Sequence, residues 1–116
     1  MSRKIRSEQG LFGATNYYDE NGRYLGYSQS GLFGSTNYYD QAGRNVGYSQ
    51  ESLLGGDNYY NAQGGRVGFS NESLFGGENF YDNAGRHRGY SSPGLFGDVT
   101  TLDEDVDPFG DDGFDL

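Results

Sequence analysis

Leu11, Leu32, Leu53, Leu74 and Leu95 stand 21 residues apart, and each opens a copy of one short sequence. The copies read LFGATNYYDENGRYLGYSQSG over residues 11–31, LFGSTNYYDQAGRNVGYSQES over 32–52, LLGGDNYYNAQGGRVGFSNES over 53–73 and LFGGENFYDNAGRHRGYSSPG over 74–94. No insertion separates them. Stacked units need constant length, because each must meet its neighbour in the same way, whereas a random coil has no such need.

Each copy carries the signal of a β-hairpin. Aromatic residues run into an Asp/Asn-x-x-Gly turn, at Asp19–Gly22, Asp40–Gly43, Asn61–Gly64 and Asp82–Gly85. The Asp or Asn side chain starts such a turn by bonding to its own backbone. Gly22, Gly43, Gly64 and Gly85 are then expected at the positive-φ position of a type I turn followed by a G1 bulge. A second strand follows, such as Tyr24 to Ser28. Simple alternation places Tyr17, Leu25 and Tyr27 on one apolar face and Asn16, Tyr18, Gly26 and Ser28 on the other. The same holds for Tyr38, Val46 and Tyr48, and for Tyr59, Val67 and Phe69. In the fourth copy Arg88 interrupts the apolar face of Phe80 and Tyr90. Gly26, Gly47, Gly68 and Gly89 lie within strands, where glycine marks a bulge or a close approach of another group; the ring of Tyr18 and its equivalents is expected over them.

One unit offers a small core (Leu11, Phe12, Tyr17, Leu25 and Tyr27), too little to offset the entropy of ordering 21 residues. The units must therefore stack. The fold class predicted is all-β, with tandem hairpins stacked into one elongated sheet or solenoid and a disordered acidic C-terminal tail. Whether the hairpins form a flat sheet, a solenoid or a barrel is left open by the sequence. Residues 1–10 are expected to supply a half-strand cap, since Arg6 to Gly10 aligns with Tyr27 to Gly31. Residues 11–94 form the four repeats, 95–102 a degenerate fifth that serves as a cap, and 103–116 the tail.

Composition sets further limits. Leu, Ile, Val and Phe number 22 of 116 residues and the net charge is −9, a balance that leans towards disorder. Eleven Tyr oppose it, because each buries a ring while keeping its hydroxyl wet. Residues 7–97 hold nine acids and five Arg, but residues 98–116 hold eight acids and no base. The chain has no Cys, so it has neither disulfides, nor thiolate metal sites, nor a thiol nucleophile. The first residues, MSRKIRSEQG, lack an apolar stretch and do not read as a secretory leader, and no apolar run is long enough for a membrane helix, so a cytoplasmic protein is expected.

The YYDxxGR…GYS units resemble bacterial or phage Tyr-rich β-hairpin repeats. They are similar in style to MORN repeats, to the Tyr-rich hairpins of choline-binding modules and, through Tyr18–Arg23, Tyr39–Arg44 and Tyr81–Arg86, to YD repeats. GLFG at residues 10–13, 31–34 and 94–97 resembles nucleoporin FG tracts. The hairpin resemblances cover residues 11–94 and imply binding or scaffolding without an active site.

No catalytic constellation stands out, and no enzyme, cofactor or metal is expected. His87 reads as an exposed strand residue, and Asp19, Asp40 and Asp82 as turn formers in separate units. Asp103, Glu104 and Asp105 begin an acidic run, but a calcium loop needs Gly sixth and Glu twelfth, where Pro108 and Phe114 stand. No phosphate-binding glycine loop follows a strand. Five array Arg outnumbered by acids argue against direct nucleic-acid binding. The function expected is a non-catalytic module that binds a protein or repetitive polymer through Tyr18, Tyr39, Tyr60 and Tyr81, with Phe109 and Phe114 of the tail as a second docking element. The alternatives are a phage-type acidic inhibitor that occupies a nucleic-acid-binding groove of a partner protein, and a structural spacer. The partner's identity and the oligomeric state are not legible.

Overall fold

The structure, a computed structural model, describes residues 2–53, 55–73, 76–93, 97–103, 105–106 and 108–109. Ten strands follow one another: β1 Ser2–Gln9, β2 Ala14–Asp19, β3 Tyr24–Ser30, β4 Ser35–Asp40, β5 Asn45–Glu51, β6 Asp57–Asn61, β7 Arg66–Glu72, β8 Glu78–Asp82, β9 His87–Ser92 and β10 Val99–Asp103. Every strand pairs antiparallel with its neighbours in sequence, and β1 pairs with both β2 and β10. The sheet is therefore a closed up-and-down barrel, 30 × 29 × 27 Å. This corrects the expected elongated sheet or solenoid. Strand twist accumulates across the hairpins, and closure removes the two edges that an open array leaves unpaired.

The alignment of Arg6 to Gly10 with Tyr27 to Gly31 explains the closure. Ser7 stands opposite Tyr17 as Ser28 stands opposite Tyr38, and Arg6 opposite Tyr18 as Tyr27 opposite Tyr39. On its other side, β1 meets β10 through pairs such as Ile5 with Thr100. The strands β10 and β1 thus form a fifth hairpin, split between the two ends of the chain.

At one end of the barrel lie the Asp-x-x-Gly turns. Gly22, Gly43, Gly64 and Gly85 have φ of 82°, 83°, 90° and 83°. Asp40 Oδ1 accepts hydrogen bonds from the amides of Ala42 and Arg44, both at 3.0 Å, and its Oδ2 accepts one from Arg44 Nε at 3.0 Å. Asp19 and Asp82 repeat the pattern with Arg23 and Arg86. In the third unit Asn61 accepts from the amides of Gln63 and Gly65. At the other end lie the loops that join one unit to the next.

A bulge in each unit decides which side chains face inward. Tyr17 pairs with Gly26, but Tyr18 pairs with Tyr24, so Leu25 is the extra residue; the same shift recurs between Tyr38 and Tyr39, Tyr59 and Tyr60, and Phe80 and Tyr81. Leu25 packs inward against Ile5, Leu102 and Val106. Gly26 also faces inward, where an added Cβ would stand 2.1 Å from the carbonyl oxygen of Tyr39 and 3.0 Å from the Phe109 ring. Two successive inward residues reverse the parity of the strand. Tyr27, Tyr48 and Phe69 therefore point outward, a correction to the expected apolar face, and Gly26 is covered by the next strand and by Phe109 rather than by Tyr18.

Leu11 and Phe12 were also expected in the core, yet they are 80% and 96% exposed. The acidic tail is not disordered throughout either. After Asp103 the chain turns into the barrel, with a bond from the Val106 amide to the Asp103 carbonyl of 3.0 Å. Val106 is 1% exposed. Arg88, the residue that breaks the apolar pattern of the fourth unit, pairs with Asp103 at 3.4 Å and Asp105 at 2.8 Å.

Two outcomes follow from this architecture. Gly43→Val should destabilise the protein by about 1–3 kcal/mol in urea titrations through backbone strain alone, because no atom lies within 4 Å of the added Cβ. Deleting residues 1–10 removes two strand ladders at once. Loss of cooperative thermal unfolding is expected, whereas trimming a terminal cap would only lower the melting temperature.

Candidate functional site

The inner wall is built from one residue of each unit's first strand. Tyr17, Tyr38, Tyr59 and Phe80 project inward from β2, β4, β6 and β8, and Thr100 holds the matching place on β10. The tyrosine hydroxyls bond to serines of the paired strands: Tyr17 to Ser28 at 2.9 Å, Tyr38 to Ser49 at 3.3 Å and Tyr59 to Ser70 at 3.3 Å. Burial pushes all three phenols above their ordinary range, most strongly for Tyr38 and Tyr59. They stay neutral hydroxyls across the physiological range.

Towards the turn end the interior is filled. Ile5, Leu102 and Val106 form one apolar cluster, and Val46 and Tyr59 another. Phe109 lies on the second cluster with its ring 5.1 Å from that of Tyr17. Towards the loop end the interior is open. A cavity of about 520 Å³ runs from Pro108 and Phe109, past the aromatic wall, to Ser73, Gly76 and Gly77.

Carboxylates gather at this mouth. One position per unit, two before the inward aromatic, reads Thr15, Thr36, Asp57 and Glu78 in chain order. In β10 the strand register runs one residue short of the 21-residue period, so Asp98, two before Thr100, holds the matching place in the fifth unit. The three acids therefore occupy consecutive units on one side of the ring, and Glu72 lines the same cavity. Desolvation raises the Asp57 carboxyl above its usual range, with Glu51 and Glu72 adding to the effect. Glu78 is raised by desolvation and then by Asp57, although it accepts a hydrogen bond from the Tyr59 hydroxyl at 3.4 Å. No Lys, Arg or His is among the described residues that line the cavity. Among the described residues, no group of three or more His, Cys, Asp or Glu could hold a metal ion.

The sequence-predicted site residues fall elsewhere. Tyr39 stacks on Tyr27 at 4.9 Å, Tyr60 on Tyr48 at 4.8 Å and Tyr81 on Phe69 at 5.2 Å, all on the outer wall. The guanidinium of Arg6 covers Tyr18 at 5.1 Å, so the split hairpin replaces a ring stack with a cation–π contact. These four tyrosines are half-buried, and each is separated from the next by the strand that stacks on it. Phe109 lies inside the barrel, and Phe114 falls outside the described residues. His87 is exposed and bonds through Nε2 to Asn79 at 3.2 Å. The inward acids were missed, although one signal for them existed: the residue two before the Tyr-Tyr pair changes from Thr to Asp or Glu while its neighbours repeat.

Two measurements test this arrangement. Phe109→Ala should cost roughly 2–4 kcal/mol of stability, a core effect that an exposed docking residue would not produce. Glu78 has a folded-state pKa above its unfolded value, so the unfolded chain ionises first as pH rises, and stability falls through that window. Glu78→Gln should therefore raise the melting temperature at pH 7, and the gain should vanish below about pH 4, where the carboxyl is protonated in both states.

No family model matches the chain, and no curated protein matches it. Among solved structures it is similar to a protein from Arabidopsis thaliana, with a TM-score of 0.54 and 12% sequence identity over 88% of this chain and 80% of that one. At that identity the likeness bears on the fold alone.

Proposed function

We propose that this chain is a non-catalytic binding module that engages a partner protein through the loop end of the barrel. The observation that carries this reading is the set of apolar tips around the mouth. Leu11, Phe12, Leu32, Phe33 and Leu53 are all at least 79% exposed. Phe12 and Phe33 both sit at a φ of 59°, a left-handed conformation that costs a residue with a Cβ about 1 kcal/mol or more. Exposed aromatic side chains held in a strained backbone mark a contact surface better than a solvated one. The carboxylates at the same end define the partner's chemistry, namely apolar side chains accompanied by basic ones.

The outer tyrosines support the role less well, because stacking uses one face of each ring. The reading of the tail as a docking element loses Phe109 to the interior. The acidic-inhibitor alternative is weakened by the turn acids, since Asp19, Asp40 and Asp82 are each neutralised by an arginine of the same turn.

The test is a pair of double variants assayed by calorimetry against a purified partner. Phe12→Ser with Phe33→Ser should weaken binding at least about tenfold and leave the melting temperature unchanged, since neither ring is buried. Tyr39→Ser with Tyr60→Ser should leave affinity intact. Undiminished binding by the tip variant would overturn the proposal.

A further inference from the structure

We propose that the cavity at the loop end is a binding site for an organic cation carrying aliphatic ammonium groups. The inference deepens the reading above and rests on the loop end being the recognition end, but it concerns the interior rather than the tips.

Three features of the cavity select this ligand. Its walls are aromatic: Tyr17, Tyr38, Tyr59 and Phe80 surround it, and Phe109 forms its floor. Ring faces attract ammonium groups and also pack against alkyl chains. Its mouth is acidic, through Asp57, Glu72, Glu78 and Asp98, and the described lining supplies no basic side chain to balance them. An anion would be repelled, and an uncharged ligand would desolvate those carboxylates without compensation. Its volume, about 520 Å³, matches a small organic molecule.

The arrangement also distinguishes an organic cation from a metal. The described acids form no cluster that could hold a metal ion. Carboxylates contributed by successive units around a wide mouth suit charges spaced along a flexible chain rather than one point charge. The position two before the inward aromatic makes the same point, because units with Thr15 and Thr36 would close the barrel equally well. Three carboxylates stand there instead, and those of Asp57 and Glu78 are held against desolvation and the repulsion of neighbouring acids. A group that opposes folding is the usual mark of a binding or catalytic site.

The full chain titrated with putrescine, 1,4-diaminobutane, tests the proposal. Saturable one-to-one binding is expected by calorimetry, with NMR shifts concentrated on Tyr59, Phe80 and Phe109. The uncharged analogue 1,4-butanediol should not bind. Asp57→Asn combined with Glu78→Gln should weaken putrescine at least about tenfold while preserving or raising the melting temperature. Binding should also release protons near pH 5, because a nearby cation lowers the carboxyl pKa values; calorimetry in buffers of different ionisation heat reads this directly. Absence of saturation, an equal response to potassium chloride at matched ionic strength, or unchanged affinity in the double variant would each overturn the proposal. The Phe12→Ser, Phe33→Ser variant should bind putrescine normally. A chain that docks its partner but does not saturate with putrescine would refute the cavity site alone, and the reverse result would refute the docking surface alone.

Discussion

The pairing of β1 with β10 is the contact on which the rest of the molecule depends. Each is half of a hairpin, and neither has a sequence-adjacent partner that could complete its unit. Their antiparallel ladder, from Ser2 opposite Asp103 to Arg6 opposite Val99, turns four and two half units into five. Without it the array has two open edges, no enclosed interior and no mouth. With it, the tyrosines of separate units converge on one space, and the polar backbone of every strand is satisfied on both sides.

Closure also gives the tail its place. A barrel of ten strands has an interior too wide for the side chains of five units to fill, particularly when the strand glycines contribute none. Val106, Pro108 and Phe109 fill the turn end. Arg88 anchors their approach by pairing with Asp103 and Asp105, and the Arg88 guanidinium in turn holds Asp105 below the usual carboxylate range. The residue that broke the pattern of the repeat is thus a counter-ion for the segment that follows it. Asp103 and Asp105 stay exposed while Val106 and Pro108 are buried.

The two ends of the barrel differ in how their charges are balanced. The turn acids Asp19, Asp40 and Asp82 are matched within their own loops by arginines and backbone amides, which consumes their charge locally. Loop-end acids have no such partners among the cavity's described lining, and the apolar tips beside them are turned out to solvent. Identical repeats would give both ends uniform character. The departures from identity, Asp57, Glu78 and Asp98 in place of threonine, lie at the loop end and on one side of it.

The sequence by itself determined the unit. The 21-residue period, the strand pairs, the four turn glycines and the importance of the strand glycines follow from local rules, because a hairpin of known turn type fixes its own register. Even the kinship of Arg6–Gly10 with Tyr27–Gly31 was legible. Only the tertiary structure decided what the units do together. The direction of Tyr27 and its equivalents depended on a one-residue bulge that local alternation does not encode. The exposure of Leu11 and Phe12, and the burial of Phe109, depended on which surfaces closure left open. Whether repeating hairpins run on as a solenoid or meet as a ring is set by accumulated twist and by contact between residues about a hundred positions apart, such as Ser2 and Asp103. No local propensity carries that information.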